Sequence, residues 1–129
     1  MQRSQEDLEE QVKVSYGDFC ELRSLKHPPQ AVKELFLALL LLLGEPVHKA
    51  TDWRRRLRLL KTSKRDGVLQ RMVELNVRHI DLGTALKAKD ALKPFTVEIM
   101  RNVSAAAASF FLWACAMIEA VELQAADGK

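Results

Sequence analysis

The chain of 129 residues is 48% apolar and 29% charged, with two cysteines and a formal net charge of +3, a composition that suits one domain with a modest core. Two cysteines, Cys20 and Cys115, are too few for a disulfide framework and have no metal-ligand spacing, which points to an intracellular, reducing compartment. The charge is uneven: residues 51–93 hold 12 Lys and Arg against 5 Asp and Glu, residues 1–26 hold 4 against 6, and residues 95–129 hold 2 against 4. A basic middle between acidic ends attracts an acidic partner such as nucleic acid, anionic lipid or an acidic protein surface, over a Debye length of about 8 Å.

The opening residues, MQRSQEDLEEQV, are more acidic than basic and do not read as a secretory leader. From Leu8 to about Leu25 there is no proline, and Leu8, Val12, Ser15, Phe19 and Leu22 recur at steps of three and four. This predicts a first long helix, weakened at Gly17 by about 1 kcal/mol of helix propensity.

The stretch PPQAVKELFLALLLLLGEP follows, with an unbroken apolar run from Leu35 to Leu43. Crossing a bilayer as a helix takes roughly 20 apolar residues, so this run does not span. Pro28-Pro29 marks a helix start, and Gly44 with Pro46 marks a stop. The expectation is a helix of four to five turns with almost no polar face, the central member of a small bundle.

Asp52 is positioned to cap a helix through WRRRLRLLK in which Trp53, Leu57 and Leu60 share a face, with most of the arginines from Arg54 to Arg58 expected as a solvated face and the rest turned toward an acidic partner. Gly67 opens GVLQRMVEL, with Val68, Met72 and Leu75 on one side. Asp81 caps LGTALKAKDAL, which Pro94 closes. In the last segment Met100, Val103, Ala107, Phe110, Ala114, Met117 and Val121 alternate steps of three and four, the pattern of a coiled-coil strand.

No stretch alternates as a strand does. The predicted fold is all-α: a small helical bundle at the tip of an antiparallel two-helix coiled-coil stalk. Residues 1–27 form the first stalk helix, 28–94 the helical head, and 95–129 the returning helix. Both termini then emerge together, as in a segment cut from a longer protein. The mixture of Ala107, Ala114, Met100 and Met117 in the seam suits sliding between two registers of similar energy.

Catalytic chemistry finds no support. The glycines are isolated at positions 17, 44, 67, 83 and 128, which excludes a phosphate loop or dinucleotide fingerprint. His27, His48 and His79 are far apart and share no metal-like spacing with the cysteines. Either cysteine would need a base and an orienting group beside it to act as a nucleophile, and both lie on the predicted stalk helices, away from any pocket. The expectation is a binding module without cofactor or metal.

Three stretches taken together resemble the stalk head of dynein heavy chains, the microtubule-binding domain. They are ELRSLKHPPQAVKELFLALLLLLGE, the Trp53 segment DWRRRLRLL, and FTVEIMRNVSAAAASFFLWACAM with its pair Ser104 and Trp113. The resemblance runs from about Val12 to Val121. It implies a stalk whose register controls a head that grips the interface of α- and β-tubulin, with the motor's ATPase ring outside this segment.

By the same resemblance the gripping surface comes from the first head helix, a short middle helix and the start of the return helix. Lys33 carries over from the A-V-K motif and Glu98 from the family's acidic position. Asn102 stands where the family often has arginine, with Arg101 adjacent. The middle stretch reads NVRHI where the family often has D-K-D-N-I, and Arg71 and Arg78 complete the expected contacts. The implied partner is the microtubule, with neither nucleic acid nor membrane, in the cytoplasm on the cytoskeleton or in the axoneme of a cilium or flagellum. Some axonemal heads carry a leucine-rich light chain, so the alternative is a docking platform for such an accessory protein. A helical nucleic-acid-binding protein is a third class that the basic block alone would also fit.

Overall fold

The structure, a computed structural model, describes residues 16–60 and 67–127. Among them there are seven α-helices, two 3₁₀ turns and no strand. In chain order these are α1 (Tyr16–Arg23), α2 (Gln30–Leu42), a 3₁₀ turn (Val47–Lys49), α3 (Trp53–Leu59), α4 (Val68–Glu74), a second 3₁₀ turn (Val77–His79), α5 (Leu82–Leu92), α6 (Val97–Val103) and α7 (Ala105–Asp127). The all-α expectation therefore holds.

The apolar run is the centre of the bundle. Val32, Leu35, Phe36, Ala38, Leu39 and Leu40 in α2 are fully inaccessible to solvent. Pro29 is the N-cap residue of α2. At the other end Gly44 takes φ +98°, and the backbone N–H groups of Glu45 and Gly44 donate to the carbonyls of Leu40 and Leu41 at 2.9 and 3.1 Å. These two bonds form a Schellman ending, which glycine enters without the steric penalty that a Cβ would bring. At 13 residues the helix is somewhat shorter than expected, because Pro28 and Pro29 lie outside it.

The aspartate caps form as their spacing predicts. Asp52 Oδ1 accepts from the Arg55 N–H at 2.8 Å, and Asp81 Oδ1 from the Thr84 N–H at 2.7 Å. Trp53, Leu57 and Leu60 do pack inward, and the Trp53 ring stacks on Phe36 with centroids 4.9 Å apart. In α4 the buried residues are Leu69 and Met72, with Leu75 packed against them in part. The side chain of Val68 lies outside the described residues, as do Leu8, Val12, Ser15 and the side chain of Phe19 from the predicted first seam. Leu22, the last member of that seam, is buried.

The return segment differs from one continuous helix. Ser104 is extended (φ −171°, ψ 160°), ends α6 and starts α7 by accepting the Ala107 N–H on its hydroxyl at 3.0 Å. Serine favours this role because its hydroxyl satisfies an N–H that the first helical turn leaves unpaired. The heptad spacing runs through the break because only one residue leaves the helical conformation.

Helix α7 also buries more than the predicted stripe. Ala106, Ala108, Phe111, Trp113 and Ile118 are buried together with Ala107, Phe110, Ala114, Met117 and Val121. The reason is its surroundings: α7 packs against α1, α2, α5, α6 and the second 3₁₀ turn, so its lower half is a core helix and not one strand of a pair. By length and composition α7 could cross a membrane, with a mean hydropathy of 1.6 in its most apolar window, but 56% of that window is buried inside the bundle. The Trp113 indole N–H is buried there without a hydrogen-bond partner among the described residues.

Candidate binding surface

The basic block contains two kinds of arginine. Arg56 lies on the same face of α3 as Trp53 and Leu60, three residues after one and four before the other, and is 8% exposed. Its Nε donates to the Ala50 carbonyl and its Nη1 to the Lys33 carbonyl, each at 2.8 Å. Burial pushes its guanidinium pKa down, and the nearby charges of Glu34 and Asp52 oppose that shift. Arginine remains charged in such a site, and its planar fork can reach two carbonyls at once. The expectation that the α3 arginines form a solvated face is therefore corrected at Arg56. Arg54, Arg55 and Arg58 are exposed, as that expectation required.

Two further arginines serve helix ends. Arg23 in α1 donates to the carbonyls of Leu57 and Leu60 at 2.6 and 2.7 Å, closing the C-terminus of α3. Arg71 in α4 donates to the Leu43 carbonyl at 3.1 Å and lies 3.4 Å from the Glu45 carboxylate, closing the C-terminus of α2. Terminal carbonyls carry the negative end of the helix dipole, so a guanidinium there is favourable. Their positive charges are already committed to carbonyls within the fold.

The sequence-derived contact residues separate into groups. Lys33 is half-buried in the first turn of α2. Glu98, Arg101 and Asn102 are exposed on α6, which packs against α2. Arg78 is exposed in the second 3₁₀ turn, whose backbone is set by Asn76 Oδ1 accepting the Arg78 N–H at 2.9 Å. Arg71 is bound at the opposite end of α2 from Lys33, ten residues or about 15 Å along the helix. Lys33 thus sits beside α3, through Arg56, and away from Arg71.

Neighbouring surfaces are ordinary by comparison. Arg55 faces Asp52 at 3.7 Å, and Lys89 on α5 pairs with Glu122 on α7 at 3.0 Å. Exposed pairs of this kind contribute about 0 to 1 kcal/mol. Among the described residues no group of three or more His, Cys, Asp and Glu is placed to hold a metal ion. Burial and the charge of Glu119 push the Cys115 thiol pKa up, which disfavours its thiolate. No family model, curated protein or solved structure matches the chain.

Proposed function

We propose that this segment is the head and adjoining stalk of a dynein-type heavy chain, a non-enzymatic module that attaches its parent protein to microtubules in the cytoplasm or the axoneme. The observation that carries the reading is the packing of α2 against α6. It sets the helix bearing Lys33 beside the helix bearing Glu98, Arg101 and Asn102, two of the three elements from which the resemblance expects the grip. The packing of α1 against α7 is compatible with a two-helix stalk entering and leaving one end of the bundle. Tubulin is strongly acidic, which gives the exposed basic groups a partner of opposite sign.

Co-sedimentation with microtubules tests the proposal, with DNA as a parallel control. The wild-type chain should pellet with microtubules, and Lys33→Glu should weaken binding by about tenfold, a difference of about 1.4 kcal/mol. Failure of the wild-type chain to pellet at low salt overturns the reading. An unchanged Lys33→Glu variant would remove Lys33 from the contact.

A second reading has one specific observation in its favour. Leu82 and Leu86, one turn apart on α5, are 41% and 42% exposed. An apolar pair in that position suits a docking platform for an accessory protein such as a leucine-rich light chain.

A further inference from the structure

We infer that the outward face of α3, centred on Arg54 and Arg58, is a binding surface for an extended, glutamate-rich segment of a partner protein. The inference stands apart from the microtubule reading, because it uses neither Arg101 nor the α2–α6 pairing.

Arg56 defines which way α3 faces. With Arg56, Trp53, Leu57 and Leu60 turned toward the core, Arg54, Arg55 and Arg58 form the solvent side. Arg55 is engaged locally, its Nη1 donating to Thr51 Oγ1 at 3.3 Å and its Nε lying 3.7 Å from Asp52. Arg54 and Arg58 have no acidic partner among the described residues. The same two Arg56 hydrogen bonds bring the backbone of Ala50 and Lys33 to one guanidinium.

Geometry favours carboxylates on an extended chain. Arg54 and Arg58 are four residues apart, about 6 Å along the helix axis. Alternate residues of an extended chain project to one side every 7 Å or so, so glutamates at every second position can meet both arginines. Guanidinium is also the side chain whose fork matches a carboxylate with two parallel hydrogen bonds. A nucleic acid fits less well. Trp53 is stacked on Phe36 and offers no free platform for bases.

Fluorescence anisotropy with a labelled oligoglutamate peptide tests the inference on the full chain at low salt. Arg54→Gln/Arg58→Gln should weaken peptide binding by about tenfold or more, an effect expected of close charge pairs. The charge-matched control Lys87→Gln/Lys93→Gln, on exposed lysines in α5 and at its C-terminal cap, should leave it within about twofold. Circular dichroism should show all variants folded, since these exposed side chains make no hydrogen bond or ion pair among the described residues. Absence of peptide binding, an equal loss in the control, or tighter Arg54-dependent and Arg58-dependent binding of an oligothymidylate of equal charge would each overturn the inference. Microtubule pelleting run in parallel separates it from the motor reading, because the peptide result can hold or fail while pelleting does the opposite.

Discussion

The Nη1 of Arg56 lies 2.8 Å from the carbonyl oxygen of Lys33, so a buried arginine of α3 is bonded to the backbone directly beneath the lysine expected to face the partner. Together with the bond to Ala50 this fixes α3 against the first turn of α2. Removing the guanidinium strips a charged donor from two carbonyls in a mostly buried place, at about 1 to 3 kcal/mol for a group left unsatisfied. Arg56→Met should therefore destabilise the protein by about 2 to 3 kcal/mol in urea unfolding followed by circular dichroism. Arg56→Lys should rescue it only in part, because an ammonium lacks the planar fork. Arg58→Met, on the exposed side, should change stability by less than about 0.5 kcal/mol. Equal losses at positions 56 and 58 would refute the clamp.

Gly44 supplies a cleaner backbone test. A Cβ added there would meet nothing within 4 Å, so the cost of Gly44→Ala comes from φ +98° and not from crowding. The expected loss is about 1 to 2 kcal/mol, the penalty of a left-handed conformation for an ordinary residue. Gly44→Asn should lose less, because asparagine tolerates that region better. Thermal melting of the two variants checks the order.

Asp81 predicts a pH dependence. Hydrogen bonds from Thr84, the backbone N–H foremost, hold its carboxyl below the ordinary value of 3.8. A group depressed in the folded state contributes stability that is fully present above its unfolded pKa and is lost as pH falls through the folded one. The advantage of wild type over Asp81→Ala in thermal melts should thus be constant above about pH 5 and narrow steadily toward pH 2. A gap that widened on acidification would show that the carboxylate is not the capping form.

Salt should discriminate between the two docking modes. The contacts proposed for half-buried Lys33 and exposed Arg101 are between surface charges, screened within about 10 Å at 0.1 M ionic strength. Microtubule affinity should fall steeply with added salt, and Arg101→Ala should weaken it more modestly than Lys33→Glu. Binding that strengthened or stayed level with salt would point to apolar docking through Leu82 and Leu86.

Much of the fold is legible residue by residue. Pro28-Pro29, Gly44, Asp52 and Asp81 act locally, through fixed φ, positive φ or a side-chain oxygen on a nearby N–H, so their roles do not depend on distant parts of the chain. Arg56 was hidden because a charged side chain inside W-R-R-R-L-R-L-L reads as solvated. Its spacing from Trp53 and Leu60 was the available signal, but its carbonyl partners at Lys33 and Ala50 exist only once α2 and α3 have packed. The break at Ser104 was masked by a heptad pattern that continues across it, although a serine just before an alanine run is a helix-start signal. For the contact residues, sequence offered positions only by resemblance. The division between arginines that close helix ends and arginines that face solvent is a tertiary property.

Ser104 leaves the return path jointed. A helix transmits thrust and torque as a stiff rod, and α7, 23 residues or about 35 Å long, has that stiffness. One extended residue interrupts that rod. The seven residues of α6 therefore take their aim from the helices on which they rest, α7 itself and α2, and not from a backbone continuous with α7. A rotation of α7 about its own axis would reach Glu98, Arg101 and Asn102 only through the packing of α6 on α7 and not through a continuous backbone, whereas a push along that axis would carry all three together.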